Sequence, residues 1–210
     1  MLAYSSITHA GFILVAVYAA AGENSELLGG QAFLFYLLAY SVMVAGTFGV
    51  VTIVGRTGDG DHSLDDYRGL SRSNPVLAAL MSVLLFAQAG VPFTSGFLAK
   101  FRVIVAAAQS EAYVAAGVAM LAAVVAAVLY LRIVVSMFLA EPVTAAESTS
   151  NTEEDTDVAD LELLPSGLAA LAPEATFAVG LAVVVTIGLG VLPYGQELLT
   201  DAAEALVAMR

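Results

Sequence analysis

Cysteine and tryptophan are absent from this sequence, and basic residues are scarce, with 7 Lys+Arg against 19 Asp+Glu. Without cysteine, neither a disulfide framework nor thiolate-bound clusters can be built. Without tryptophan, an interfacial aromatic belt has to rest on Tyr and Phe. The net charge of −12 argues against a nucleic-acid surface and against a basic patch docking on anionic lipid. No Gly-rich phosphate loop, nucleophile triad or metal-ligand cluster can be read from the residues. The chain therefore has no visible means of doing redox chemistry, and we assign it no catalytic, cofactor-binding or metal-binding residue of its own.

What is present is apolar. Of the 210 residues, 60% are hydrophobic and 12% charged, with a mean hydropathy of +0.88. Soluble domains are nearer half apolar, so composition indicates a membrane protein. The opening "MLAYSSITHAGFILVAVYAAA" has no basic residue before its apolar run, and the run is too long for a signal core; it reads as a transmembrane helix. About 20 apolar residues cross about 30 Å of hydrocarbon. Five stretches qualify, at about 2–21, 31–54, 75–108, 113–139 and 173–192. The expected fold class is therefore an all-α polytopic membrane protein. Between these spans lie a short polar link (22–30), a hydrophilic loop (55–74), a tight turn at "QSEA" and an acidic loop at 140–167 with no Lys or Arg, expected to be solvated. The tail, 194–210, places Leu198, Leu199, Ala202 and Leu206 on one helical face, as in a short interfacial helix. Arg56, Arg68 and Arg72 all fall between the second and third spans. The positive-inside rule then places that loop, the N-terminus and the acidic loop in the cytoplasm and the C-terminus outside.

The third span is too long for one straight crossing. Its 34 residues would extend about 51 Å as a helix. The stretch "GVPFTSGFLAKF" (Gly90–Phe101) interrupts it. Pro92 has no N–H and crowds the carbonyl of Gln88. Gly90 and Gly96 are expected to relax the backbone on either side, and Thr94 and Ser95 to bond the freed carbonyls. Unpaired backbone at membrane depth is tolerated only against protein or water. The break should therefore face the interior or a hydrated cavity.

Several polar residues in these spans can carry chemistry. Lys100 lies one turn into the second half-helix. Burying its ammonium at mid-membrane costs about 2.5–3.5 kcal/mol on insertion scales, which makes it a proton-relay candidate; the alternative is a lysine snorkelling to the interface. His9, in "SSITHAG", suits proton shuttling, or is a core histidine bonded to Ser5, Ser6 or Thr8. Tyr4 and Ser5 can hydrate a path beside it or simply pack helices together. Arg132 can snorkel or neutralise a carboxylate. Gln88 can bond a water or a backbone group. His62, beside Asp59, Asp61, Asp65 and Asp66, fits no calcium-loop pattern and reads as part of a solvated loop.

"MLAYSSITHAGF" followed about ninety residues later by "GVPFTSGFLAKF" resembles the antiporter-like membrane subunits of complex I-type NADH–quinone oxidoreductases, subunit N most nearly. "DDYRGLSRSNPVLAALMSVLLFAQAG" and "VLYLRIVVSMF" extend the resemblance over 1–193. The resemblance implies a 14-helix fold of two inverted repeats, of which this chain looks like the last five helices. It implies that Lys100 is the broken-helix lysine of the second repeat and that His9 links it to central lysines. It also implies partnership with other membrane subunits in a lipid bilayer. Flavin, iron–sulfur centres and a quinone, menaquinone-like by family analogy, would belong to partner subunits. A glutamate and two lysines expected on earlier helices are not in this sequence, so Met1 is expected to reflect an internal start, a split gene or a truncated record. A haloarchaeal source would account for the acidic loops, as would one solvated loop. Two alternatives stay open: a cation/proton antiporter subunit of the Mrp type, and a purely structural membrane subunit.

Overall fold

The computed structural model describes residues 2–22, 26–55, 67–139 and 173–191. Seven helices run through them: α1 (Leu2–Ala20), α2 (Glu26–Gly55), α3 (Leu70–Ser73), α4 (Pro75–Ala89), α5 (Ser95–Gln109), α6 (Tyr113–Leu139) and α7 (Pro173–Val191). No strand occurs among the described residues. The acidic loop at 140–167, the tail at 194–210, Arg56 and the His62 cluster lie outside them.

Helix α2 is the hub. It packs against α1, α4, α5 and α7, while α6 closes over α4 and α5. Two apolar cores result. One holds Leu77, Met81, Leu84 and Leu85 of α4 with Tyr130, Ile133 and Met137 of α6 and Val179 of α7. The other holds Phe12 and Ala16 of α1, Phe35, Tyr36 and Met43 of α2, and Ala99 and Val103 of α5. Small side chains set these distances: at Gly46 a Cβ would stand 2.7 Å from Cβ of Ala182, so α7 reaches α2 only because none is there.

The outer faces are apolar too. On α6, Val114, Val118, Leu121, Val125 and Val128 are exposed, a surface suited to hydrocarbon rather than water. Leu27–Val54 and Tyr113–Leu139 are long and apolar enough to cross a bilayer; Tyr4–Ala20, Pro75–Ala89 and Ala175–Val191 are shorter apolar helices.

Two boundaries differ from those expected. The sequence suggests a polar link through Gly30, yet α2 begins at Glu26. Gly29, inside the expected link, sits against the Ala20 backbone where any Cβ would collide, so it serves close packing of α2 on the end of α1. The loop expected at 55–74 ends in α3, whose Leu70 is buried and joins the α4–α6 core. Beyond it, Asn74 caps α4 by accepting the Leu77 N–H at 3.2 Å, with Pro75 in the first turn.

Where α5 crosses the end of α4, a Cβ on Gly96 would overlap the Ala87 carbonyl. Gly96→Ala is expected to destabilise the protein by about 1–3 kcal/mol through overpacking. Gly117 faces open space, and Gly117→Ala should stay within about 1 kcal/mol of the parent. Unfolding of both variants in detergent micelles checks the contrast.

Candidate functional site

Helix α4 stops at Ala89 because the chain turns left-handed at Gly90, with φ 94°. The Gly90 N–H reaches the Phe86 and Ala87 carbonyls at 3.0 Å, and the Val91 N–H reaches Phe86 at 3.0 Å. This closure satisfies the carbonyls of the preceding turn and leaves those of Gln88 and Ala89 without a following N–H. In a continuous helix they would take the N–H groups of residues 92 and 93. Pro92 has none, and Phe93 is itself left-handed, with φ 69°.

Lys100 fills the gap. Its ammonium donates to the Gln88 carbonyl at 2.7 Å and to the Ala89 carbonyl at 3.0 Å. The side chain is 5% exposed and does not run to an interface. Its charge meets the negative end of the α4 dipole, and its Nζ lies 5.5 Å from the centroid of the Phe12 ring, within cation–π range.

The expected assignments within the break change accordingly. Thr94 does not bond a freed helix carbonyl: its hydroxyl donates to Val91 O at 2.7 Å and accepts from the Phe97 N–H at 3.4 Å, capping α5. The buried Ser95 hydroxyl has no partner among the described residues. Gly96 lies within α5 and provides room rather than backbone freedom. Gly90 does both: it takes the left-handed turn, and a Cβ there would come within 3.3 Å of the Lys100 stem.

His9 is 1% exposed. Its Nδ1 lies 2.8 Å from the Tyr36 hydroxyl on α2, and its Nε2 lies 3.1 Å from the Tyr130 hydroxyl on α6. The Tyr130 hydroxyl also bonds Ser5, and the Tyr40 ring stacks on the imidazole at 4.3 Å. The partners expected for His9 lay on its own helix. The structure provides partners from two others, because Ser5 points to Tyr130 and the imidazole points inward. Phe12 stacks on Tyr36 at 5.6 Å, so one phenyl ring touches both the histidine network and the lysine.

Gln88 joins the site through its backbone and its side chain. Its carbonyl holds Lys100, and its amide donates to the Thr47 hydroxyl of α2 at 2.6 Å. Thr47 in turn donates to Met43 O at 2.8 Å. Pro92 is exposed at the turn, Arg132 is exposed on α6, and Tyr4 is exposed; no hydrogen bond or ring contact joins any of them to the lysine or the histidine. Sequence reasoning missed Tyr36, Tyr40, Thr47, Phe12 and Tyr130. A signal existed for the first two: "YLLAY" places two tyrosines one helical turn apart inside an apolar span, and a buried tyrosine hydroxyl needs a partner. Among the described residues no group of His, Cys, Asp and Glu could hold a metal ion.

Residues 1–130 match the family described as "NADH:quinone oxidoreductase/Mrp antiporter, TM". The chain is 39% identical over 211 residues to NADH-quinone oxidoreductase subunit N of Acidothermus cellulolyticus, covering 100% of this chain and 36% of the relative. It is 48% identical over 142 residues to NADH-quinone oxidoreductase subunit N 3 of Streptomyces griseus, covering 68% and 25%. Among solved structures it is similar to a chain of respiratory complex I from Thermus thermophilus, with a TM-score of 0.67 and 30% identity over 92% of this chain and 38% of that one. The Mrp complex from Dietzia sp. gives a TM-score of 0.61 at 21% identity, covering 95% of this chain and 46% of that one, and shows the fold alone. The chain thus spans between 25% and 36% of the length of these two curated relatives.

The Gln88–Thr47 bond yields a direct check. Thr47→Val leaves the buried Gln88 amide without its acceptor and is expected to cost about 1–3 kcal/mol. Adding Gln88→Leu removes the orphaned group and should recover most of that loss. A double-mutant cycle on unfolding free energies in detergent reads the coupling.

Proposed function

This chain belongs to the NADH:quinone oxidoreductase/Mrp antiporter transmembrane family, a membrane family, and on that premise we propose that it forms the distal part of a subunit-N-like proton-translocating module. In this reading it crosses the membrane five times, through α1, α2, the broken pair α4–α5, α6 and α7. These five spans correspond to the last five helices of a 14-helix antiporter-like fold. The module belongs to the membrane arm of a complex I-type quinone oxidoreductase in the cell membrane. The loop between α2 and α4 faces the cytoplasm and the C-terminus faces outside. Flavin, iron–sulfur and quinone chemistry, with a menaquinone-like quinone, belongs to partner subunits; this chain supplies no redox step.

The observation that carries the proposal is the buried Lys100 ammonium, held by two carbonyls that the helix break leaves unpaired. A proton carrier at membrane depth needs a charged state that is tolerated and a neutral state that is accessible. The carbonyls of Gln88 and Ala89, the α4 dipole and the Phe12 ring support the charged state. Burial supports the neutral one. A charge shifted in a neighbouring subunit then tips the balance: the ammonium gives up one N–H proton outward and becomes the free amine. The next proton reloads it from the His9 side. Lys100 and His9 form the proton pathway; Gly90, Pro92 and Gly96 shape the break; Gln88 positions the lysine. Ser5 supports His9 through Tyr130, while the exposed Tyr4 and Arg132 stand apart from the pair.

In the full-length, assembled complex, Lys100→Met is expected to lower the number of protons moved per electron while quinone reduction persists. Proton uptake by energised vesicles measures it. A wild-type ratio would remove Lys100 from the pathway. Proton exchange that depends on sodium instead would favour an Mrp-type antiporter, the other branch of the same family.

A further inference from the structure

Helix α5 carries a second cation. Arg102 is partly buried, with its guanidinium carbon 4.7 Å from the centroid of the Phe35 ring. Together with Phe101 it faces a recess of about 180 Å³ between α5 and the start of α2, which Leu28, Gln31 and Val105 also line. Gly96 lies by Met43 and Arg102 by Phe35, so α5 rises from the break as α2 descends toward it, and Leu28 marks the side of the recess nearer the membrane surface. With the break at mid-depth, the seven residues from Ser95 to Arg102 rise about 10 Å. The hydrocarbon edge is about 15 Å from the bilayer centre. The remaining distance is within reach of an arginine stem, so the guanidinium belongs to the level where lipid phosphates begin.

We propose that this recess is a phospholipid site, with the phosphate seated on Arg102 and Gln31 and one apolar tail laid along Phe101 and Phe97. The inference rests on the five-span reading above and not on proton transfer. The guanidinium is a planar fork of five N–H donors, and two of them match two phosphate oxygens; the others keep their contacts within the chain. The buried Phe35 ring supports the guanidinium by a cation–π contact. The Gln31 amide adds a neutral donor. A cation at a lipid-facing wall is costly in hydrocarbon, and a phosphodiester drawn to it offsets that cost. The tail has a track. Phe97 and Phe101 are exposed and stack with their centroids 6.0 Å apart. They run from the recess back toward the break, the direction a lipid tail takes from headgroup to bilayer centre. A free phosphate would satisfy the arginine but leave the two rings uncovered; a phospholipid satisfies both.

The test uses the full-length, assembled complex in nanodiscs containing phosphatidylglycerol with a diazirine in one tail. After irradiation, adducts are mapped by mass spectrometry. This probe is expected to label Phe97 and Phe101. Arg102→Gln should lower that labelling at least about tenfold, the scale of one lost charge-assisted pair, and Arg102→Lys should restore part of it. Quinone reduction, retained in both variants, reports assembly. A diacylglycerol with the same tail and no phosphate should label the two rings weakly and equally in all three proteins; in the wild type this comparison needs no variant. Leu121 and Val125, on the exposed face of α6, are the reference and should be labelled alike throughout. Equal labelling of Phe97 and Phe101 in wild type and Arg102→Gln, or by the two lipids, leaves apolar contact only and overturns the site. Unlabelled rings beside a labelled α6 mean that another polypeptide covers the recess, which also overturns it. If α6 stays unlabelled as well, the five-span reading itself fails.

Discussion

The two hydrogen bonds from Lys100 to the Gln88 and Ala89 carbonyls hold this structure's central contradiction in balance. A lysine buried at membrane depth costs about 2.5–3.5 kcal/mol. A helix broken at the same depth leaves two carbonyls unpaired, at about 1–3 kcal/mol each. Each cost is of the size the other would relieve. Proline and lysine share one short stretch because the N–H that Pro92 lacks is replaced by one carried on the lysine side chain. The break makes the charge tolerable, and the charge makes the break tolerable.

That interaction fixes where the rest must go. Lys100 stands on α5 and its acceptors on α4, so the two half-helices have to cross closely, which Gly90 and Gly96 permit. Gln88 ties the same turn to α2 through Thr47. Phe12 brings α1 against the lysine, and its stacking on Tyr36 joins the lysine to the histidine network without a polar contact between them. The site is thus assembled from short links among α1, α2, α4 and α5, with α6 adding Tyr130. Its groups are bonded to backbone or to hydroxyls rather than to counter-charges, an arrangement suited to moving a proton rather than pinning a charge.

Much of the helical layout was legible in the sequence because it depends on apolar run length and on one proline, both local properties. The interruption after Ala89 follows from Gly90 and Pro92, and the α5–α6 turn from the polar "QSEA". What was not legible depends on which helices meet. Thr94 and Ser95 are the nearest hydroxyls to the freed carbonyls along the chain, yet a lysine a full turn further on takes them, because the first turn of α5 packs against the last turn of α4. Ser5, Ser6 and Thr8 are the nearest partners for His9 along the chain, yet tyrosines 27 and 121 residues away take both nitrogens. Gly96 reads as backbone freedom and proves to serve contact, a distinction that only a neighbour in space can make.

The central claim, that the lysine ammonium stands in for the missing backbone donors, can be tested on the carbonyls themselves. Isotope-edited infrared spectroscopy of the protein labelled ¹³C=¹⁸O at Ala89, in lipid bilayers, reports whether that carbonyl accepts a strong hydrogen bond. We expect a low-frequency amide I band with Lys100 present, moving to higher frequency in Lys100→Met, while the same label at Leu85, inside the intact part of α4, stays still. An Ala89 band that does not move when the lysine is removed would contradict the account.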